Sequence, residues 1–360
     1  MIISIKKMFS QAFISLCITV LIIFLLIIYP KAATSGVSGG LMLCANILIP
    51  SLFPFLVLTA FLSMSNFGYY LAKPFEWIFS ILFRIPKRAV FAVILSFIGG
   101  YPSGAVAIDK LCADGYISKK TAFRMMLFCS NAGPAFVISA VGSSMLNSTL
   151  AGVYIFVSLF VSNIFIGAFS VFFSKNETTS GIKKSGGKQR ISEIFVAATA
   201  NGCEVMLKIC AFTVLFSCLL SLIKNIAPNS VFEFCSLILE VTNGSLAALS
   251  FKNTASLLCF VTGFGGLCVH FQIFSIAKSF KINILLFLLA RAFSGALSAV
   301  ICSILFYYFP IPINVFMTIA KPLPVMPSNI LASVILLLMS VFILLMPKRK
   351  FIHRLNQING

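Results

Sequence analysis

The sequence has 360 residues, of which 60% are hydrophobic and only 10% are charged. Soluble domains carry about a quarter charged residues, and several apolar stretches exceed the roughly 20 residues that cross a bilayer core, so the composition excludes a soluble globular protein. The net charge of +19 does not indicate nucleic-acid binding, because no RNA-binding motif with interleaved aromatic residues accompanies it. We expect the lipid bilayer, and not nucleic acid, to be the partner of this chain.

The basic residues form clusters between the apolar stretches, at 6–7, 84–88, 119–124, 183–190 and 348–354. This distribution is typical of loops that the positive-inside rule keeps in the cytoplasm. It orients the first half of the chain, whereas the orientation of the second half and the side of the C-terminus stay open. The 11 cysteines include no CxxC pair, and the two histidines are far apart in sequence, so neither a disulfide framework nor a metal or other cofactor is expected.

Continuous apolar stretches predict six transmembrane helices, at 8–29, 41–64, 149–173, 193–223, 284–308 and 330–346. The first of them is longer than the roughly 7–15 apolar residues of a secretory signal peptide, so we interpret it as an uncleaved span. Residues 67–83 contain Trp77, the only tryptophan, together with tyrosines and a lysine. That mixture predicts a helix lying at the membrane interface.

The stretch from 89 to 112 is apolar but interrupted. Its first arm, 89–98, is about 15 Å long, half of a bilayer core. Glycine costs a helix about 1 kcal/mol and proline about 3 kcal/mol, so the following GGYPSG breaks it, and a second arm, 105–112, leads out. We therefore predict a re-entrant helical hairpin, whose tip consists of Gly99, Gly100, Tyr101, Pro102, Ser103 and Gly104.

A second interrupted stretch, 122–146, predicts a broken transmembrane helix. The break lies near its middle, where backbone amides and carbonyls would be freed for a ligand. Its candidate binding residues are Ser130, Asn131, Gly133 and Pro134.

The second half of the chain loosely repeats this plan. The cluster of Gly263, Gly265 and Gly266 predicts the tip of a second re-entrant hairpin, and 291–295 echo the break at 130–134. We therefore predict an all-α polytopic membrane protein with two structural repeats, each with a re-entrant hairpin and a broken transmembrane helix. The domains are 1–36 (N-terminal span), 37–174 (first repeat), 175–192 (basic cytoplasmic linker), 193–308 (second repeat) and 309–360 (C-terminal span and basic tail).

Ionisable residues within spans mark functional sites, since each costs at least about 2.5 kcal/mol at the bilayer centre. Glu204 and Lys208 are four residues apart on one helix face, which fits a structural ion pair or a role in coupling. Arg291 lies in mid-span, and its planar guanidinium suits a carboxylate ligand; a structural pairing with Glu240 is the alternative. The other candidate substrate contacts are Thr242, Asn243, His270 and Gln272.

No enzyme motif assembles in this sequence. Gly263-x-Gly265 lacks a βαβ context, and there is no GxSxG, HExxH or Walker A lysine. We expect a protein that is not an enzyme and whose transport is passive or driven by an ion gradient. A channel for an inorganic ion is less favoured, because no ring of like charges is visible.

Long motifs in a fixed order carry a resemblance to a known family. They are GGYPSGAVAIDKL (99–111), GYIS (115–118), CSNAGPAFVISAVG (129–142), LEVTNG (239–244) and GFGGLCVHFQ (263–272). Over about 40–305 the chain resembles the YlbJ-type sporulation integral membrane proteins, of the wider nucleoside-recognition or Gate domain families. Val106 departs from that pattern, which has a polar or basic residue there.

The resemblance implies a fold akin to concentrative nucleoside transporters, with re-entrant hairpins and broken helices around a central site. It implies a multi-pass protein of the bacterial cell membrane, and of the outer forespore membrane in an endospore former, that moves the small organic anion dipicolinate. The helix termini at the hairpin tips are consistent with an anionic substrate, because their free amide groups favour negative charge. The alternatives are a nucleoside-type or other small-solute transporter and a structural scaffold of a sporulation complex. Formation of a homo-oligomer stays open.

Overall fold

The computed structural model describes residues 2–65, 67–173 and 190–311. They belong to one compact unit, Met1–Phe316, and the second unit, Met317–Gly360, lies outside the described residues. The described part consists of helices joined by short non-helical segments and contains no strand. Its α-helices are α1 (Ile2–Ile28), α2 (Pro30–Leu43), α3 (Ile49–Met64), α4 (Phe67–Ala72), α5 (Glu76–Phe83), α6 (Val90–Gly99), α7 (Tyr101–Ala113), α8 (Lys119–Cys129), α9 (Thr149–Phe169), α10 (Ile191–Ile226), α11 (Asn229–Leu239), α12 (Val241–Ala248), α13 (Thr254–Phe264), α14 (Gly266–Ile276) and α15 (Ile284–Tyr308). There are also two π-helices: π1 (Cys44–Leu48) continues α2, and π2 (Ala135–Met145) follows α8.

Helices that are long and apolar enough to cross a bilayer confirm a polytopic membrane protein. There are five in the described part: Pro30–Met64, Thr149–Phe172, Ile191–Ile226, Thr254–Ile276 and Ile284–Tyr308. The predicted spans at 149–173, 193–223 and 284–308 are thus confirmed within a few residues. The predicted span at 330–346, the basic tail and most of the basic linker lie outside the described residues.

The predicted second span, 41–64, has the right end but the wrong start, because the helix begins at Pro30 and continues through π1 to Met64. Pro30 occupies the first turn, where its fixed φ suits a helix and no N–H is needed. Gly36 lets this helix approach α10 closely, since a Cβ at Gly36 would lie 2.7 Å from the Cα of Cys218. Gly36 and Gly40 therefore belong to a packing face of this helix.

A helical hairpin is present at the first predicted position, and its re-entrant placement stays a prediction. Its break is shorter than the predicted tip. Gly100 alone separates α6 from α7, with a φ of +77°. Pro102 lies in the first turn of α7, where proline does not break a helix. A Cβ at Gly104 would lie 2.5 Å from the Cβ of Ser96. Positions four residues before and after Gly100 therefore face each other, as they do in a helical hairpin.

The first predicted helix break is confirmed. Residues 130–133 are non-helical between α8 and π2. The π-helix that follows has a wider turn than an α-helix, a feature that is frequent at functional sites. π2 packs closely on α9 through two glycines, because a Cβ at Gly142 would lie 2.6 Å from the Cα of Gly152.

The second hairpin is not at the glycine cluster 263–266, so that prediction is wrong. The chain turns back at Glu240, between α11 and α12. A Cβ at Gly244 would lie 2.7 Å from the carbonyl oxygen of Ser236. These two residues stand four positions after and before the tip, the same relation that holds around Gly100 in the first hairpin.

The glycine cluster 263–266 instead interrupts one apolar helical stretch, Thr254–Ile276. Gly265 separates α13 from α14, with a φ of +90°. α13 packs against α15, because a Cβ at Gly263 would lie 2.7 Å from the Cα of Gly295. In chain order, this interruption follows the second hairpin, as the break between α8 and π2 follows the first.

The predicted break at 291–295 is also wrong. α15 is continuous from Ile284 to Tyr308. Ser294, Gly295 and Ser298 in its middle are buried and let α15 approach α13. Each half of the chain thus contains a pair of short antiparallel helices, then an interrupted helix, then a long apolar helix.

Residues 67–83, predicted as one interfacial helix, form α4, a 3-10 turn (Lys73–Phe75) and α5. Tyr70 and Trp77 are exposed, whereas Phe79 and Phe83 are buried. This two-sided distribution is compatible with a membrane interface, and the interfacial position stays a prediction.

Candidate functional site

One cavity lies where the two hairpin tips and the two helix interruptions meet. It encloses about 50 Å³, room for a few water molecules. Apolar residues of α3 and α10 close it on the other side. The predicted site residues that line it are Gly99, Gly100, Tyr101, Pro102, Gly133, Thr242 and Gln272.

The tip of the first hairpin meets the first helix break backbone to backbone. A Cβ at Gly100 would lie 2.7 Å from the amide nitrogen of Gly133, and a Cβ at Gly133 would lie 2.9 Å from that of Gly100. The positive φ of Gly100 also favours glycine. No side chain can therefore separate the two segments, and the beginnings of α7 and π2 lie at one wall of the cavity.

Four helices, α7, π2, α12 and α14, begin at or within a turn of this cavity. The first turn of a helix carries unpaired N–H groups and a partial positive charge. No side chain caps the N-terminus of α7, π2 or α14, whereas the N-terminus of α12 is capped. Three uncapped N-termini therefore favour negative charge in the cavity.

The side chain that caps α12 is Glu240, which lines the cavity and is only 1% exposed. Its Oε1 accepts a hydrogen bond from the Thr242 amide at 3.0 Å, and its Oε2 accepts from the Asn243 amide at 2.7 Å. The side-chain Nδ2 of Asn243 donates to Oε2 as well, at 2.8 Å. Among the described residues no lysine or arginine forms an ion pair with Glu240.

Polar residues from other elements face the same space. Asn243 Nδ2 also donates to Ser217 Oγ at 2.8 Å, which links the second hairpin to α10. Thr213 of α10 lines the cavity. Gln272 of α14 lines it too, and its Nε2 donates to the sulfur of Cys268 at 3.5 Å.

Arg291, the predicted carboxylate ligand, does not line the cavity and is 0% exposed. Its Nη1 donates to Asn163 Oδ1 at 3.0 Å and to the Leu127 carbonyl at 3.4 Å, and its Nη2 donates to the Gly263 carbonyl. Leu127 and Gly263 lie in the last turns of α8 and α13, the negative ends of those helices. The guanidinium therefore stabilises both interrupted helices, and this geometry does not support a substrate contact. The predicted alternative, a pairing with Glu240, is absent.

His270 also bonds to the end of α13, through Nε2 to the Phe264 carbonyl at 2.8 Å. Its ring lies edge-on between Phe264 and Phe287, with centroids 4.8 and 5.3 Å away. It is buried and does not line the cavity. A role in positioning the helix end fits these contacts better than a substrate contact.

The other predicted residues surround the cavity without lining it: Ser103, Gly104, Ser130, Asn131, Pro134, Asn243, Gly263, Gly265 and Gly266. Several contribute contacts that hold the walls together. Ser103 Oγ is 3.1 Å from Thr59 Oγ1, which ties the first hairpin to α3. The hydroxyl of the lining residue Tyr101 donates to the Thr262 carbonyl, which ties the same hairpin to α13.

A wider crevice of about 300 Å³ adjoins the cavity, and the two share Pro102, Ile209 and Gln272 in their walls. The crevice has more charged residues in its wall than the cavity, where Glu240 is the charged residue among those described. Its charged residues are Asp109, Lys110, Glu204, Lys208 and Lys278.

Two of these charged residues form the predicted ion pair, with Lys208 Nζ 2.6 Å from Glu204 Oε1. The carboxylate of Asp109 accepts from the Ser279 amide at 2.7 Å. Lys110 and Lys278 form no ion pair with another described residue. The crevice therefore offers unpaired positive charge on the path to the cavity.

Glu240 and Thr213 were absent from the predicted site. The sequence held a signal for Glu240, because an acidic residue just before a helix start satisfies its amides. Thr213 is one polar residue inside a 36-residue apolar helix, and nothing in the sequence distinguishes it from other buried threonines.

A comparison with curated proteins finds a relative of this chain. It is 23% identical over 319 residues to the sporulation integral membrane protein YlbJ of Bacillus subtilis (strain 168), with 77% of this chain and 78% of the relative covered. The resemblance to the YlbJ type is confirmed. No protein-family profile and no solved structure matches the chain. The YlbJ-type resemblance therefore rests on this relative and on the ordered motifs, and the Gate domain assignment stays a prediction.

Proposed function

We propose that the protein is a transporter of a small organic anion and that dipicolinate is its substrate. The meeting of two hairpin tips and two helix interruptions at one cavity carries this proposal. Interrupted helices around a central site are a common construction of transporters. The three uncapped helix N-termini suit carboxylates, and dipicolinate has two of them.

We also propose that both hairpins are re-entrant and that the two halves are structural repeats of the Gate type. The same order of elements in each half and the equivalent contacts around Gly100 and Glu240 support this arrangement. Non-helical backbone at membrane depth must be buried in protein or line a wet cavity. The segments around these four interruptions are largely buried, and each interruption lies at or beside the cavity.

The charged crevice is the proposed route of entry. Lys110 and Lys278 would attract an anion towards Gln272, where the crevice and the cavity share a wall. An organic anion needs more room than about 50 Å³. We therefore expect the hairpin tips to move apart as the anion enters, a local rearrangement of the kind that transporters use.

The proposed location is the bacterial cell membrane, and the outer forespore membrane if the organism forms endospores. The relative is named as an integral membrane protein of sporulation. The long apolar helices of this chain support the membrane part of the proposal. A role in sporulation comes from the relative alone.

A nucleoside-type transporter is the second candidate, because of Glu240. A carboxylate in the cavity accepts hydrogen bonds from sugar hydroxyls and repels an anion. A structural scaffold of a sporulation complex is the third, and it requires no solute in the cavity.

Uptake into proteoliposomes tests the three candidates together. Trapped Tb³⁺ luminesces when dipicolinate reaches it, and uridine entry is followed with a radiolabel. We expect protein-dependent entry of dipicolinate and none of uridine, relative to protein-free liposomes. Entry of uridine alone would favour the nucleoside reading, and entry of neither solute would favour the scaffold.

A further inference from the structure

We propose that Glu240 is the proton-binding residue of this transporter and takes up one proton when an anion enters the cavity. The inference rests on the proposed function and deepens it. It comes from the placement of Glu240 at the tip of the second hairpin, in the wall of the cavity, with 1% of its surface exposed.

Within the part of the chain that the structure describes, no residue that packs around Glu240 supplies a compensating positive charge. Its hydrogen bonds come from the amides of Thr242 and Asn243 and from the Asn243 side chain. Arg291, the buried cation of the neighbouring helices, is bonded to α8, α9 and α13 instead. The titratable and polar groups that face the cavity region from the other elements are Tyr101 in α7, Cys44 in π1, Cys268 and Gln272 in α14, and Thr213 and Ser217 in α10.

An anion and an ionised Glu240 would be two negative charges in one small buried space. Their repulsion is strong there, because little water is present to screen it. Protonation removes that repulsion and turns the carboxylate into a carboxylic acid, which can donate a hydrogen bond to the incoming anion. Among the described residues, no acidic residue other than Glu240 lines the cavity, so Glu240 is the group that must change its charge.

Protonation would also loosen the second hairpin. Oε2 of Glu240 accepts two hydrogen bonds from Asn243, and Asn243 in turn donates to Ser217 of α10 at 2.8 Å. A proton on Oε2 displaces one of the two donors from that oxygen. The link between the hairpin tip and α10 would then weaken as the anion arrives, which gives the cavity room to widen.

The balance of the step is one proton per anion. Glu240 is ionised in the empty cavity and neutral in the loaded one, and the proton leaves with the anion on the other side. Dipicolinate would thus move with a net charge of −1, and a proton gradient would drive it.

The test compares wild type with Glu240→Gln, and with Glu233→Gln as the matched control. Glu233 lies on the same hairpin, in α11, outside the cavity wall. With acid outside the proteoliposomes, we expect dipicolinate uptake to rise several-fold in wild type and Glu233→Gln. Uptake by Glu240→Gln should be the same with and without the gradient. Acceleration of Glu240→Gln by the gradient would overturn the inference.

A second measurement needs no variant, in case Glu240→Gln does not fold. Purified wild type is mixed with dipicolinate in weakly buffered detergent solution, and a pH indicator reports the protons taken up. About one proton per bound dipicolinate is expected, and none would overturn the inference. The two proposals fail differently: wild type that moves no dipicolinate contradicts both, whereas uptake that ignores the gradient contradicts only the role of Glu240.

Discussion

The side-chain oxygen of Asn163 accepts a hydrogen bond from Arg291, with 3.0 Å between Oδ1 and Nη1, and both residues are 0% exposed. Asn163 Nδ2 donates to the Leu159 carbonyl at 2.7 Å, which fixes the amide so that its oxygen faces the guanidinium. The same guanidinium holds the last turns of α8 and α13. One buried polar cluster therefore joins four helices beside both helix interruptions.

We expect that replacement of Arg291 by alanine lowers the stability of the protein, and not only its transport activity. The replacement removes the guanidinium donor from three buried oxygens, of which Asn163 Oδ1 keeps a hydrogen bond from Ser294 Oγ, and each buried acceptor left without a partner costs about 1–3 kcal/mol. We expect a loss of roughly 3 kcal/mol or more, seen as low membrane levels and a lower melting temperature in detergent. Lys252→Ala, at an exposed lysine, is the control and should behave like wild type. Normal amounts of stable Arg291→Ala protein without transport would instead indicate a substrate contact.

Two substitutions of Asn163 should have opposite outcomes. Asn163→Asp keeps the oxygen that Arg291 needs and adds a compensating charge, so this variant should accumulate nearly as wild type does. Asn163→Leu has a similar volume but no acceptor, and leaves one N–H group of the buried guanidinium unpaired, because Nη1 then keeps only the Leu127 carbonyl. We expect it to lose about 2–3 kcal/mol of stability. Equal melting temperatures for the two variants would contradict the importance of this hydrogen bond.

The contact between Gly100 and Gly133 predicts intolerance of even a methyl group. Gly133→Ala would bring a Cβ to 2.9 Å from the Gly100 nitrogen, where only backbone could move. We expect reduced transport and a lower melting temperature, with Gly100→Ala affected more because a positive φ adds about 1 kcal/mol or more. Gly39→Ala is the matched control, since no atom lies within 4 Å of the added methyl. If Gly133→Ala transports as Gly39→Ala does, the two segments are not in contact.

We expect Lys110 and Lys278, the two crevice lysines without an ion-pair partner among the described residues, to attract the anion into the crevice. Lys110→Gln combined with Lys278→Gln removes two cations that form no ion pair with described residues. We expect the KM for dipicolinate to rise roughly 3- to 10-fold at low salt with little change in maximal rate, and the difference to shrink as salt increases. Lys252→Gln, outside the crevice, is the control. A salt-independent change, or none, would argue for another entry route.

The long apolar helices could be predicted from the sequence, because length and hydropathy define a span. The first hairpin could be predicted because Gly100 visibly interrupts an apolar stretch. The second hairpin was misplaced, because a glycine allows a chain either to turn back or to continue at an angle. Packing makes that choice: Gly263 meets Gly295, which holds α13 against α15. The actual turn at Glu240 contains no glycine, and a side-chain cap takes its place.

The partners of Arg291 could not be predicted from the sequence either. They lie 128 residues away in α9, 164 away in α8 and 28 away in α13. Local spacing shows only that no acidic residue is near, which suggested a ligand. Three carbonyl or amide oxygens from distant segments satisfy the charge instead, and only the tertiary structure brings them together.

A cryo-EM map of the purified protein with saturating dipicolinate tests most directly whether the cavity is the substrate site. A bound antibody fragment would supply the size that such a map needs. We predict density for one dipicolinate between Gly100, Gly133 and Thr242, with the hairpin tips further apart than in its absence. Density for the anion elsewhere, with this cavity closed and unchanged, would contradict the proposed site.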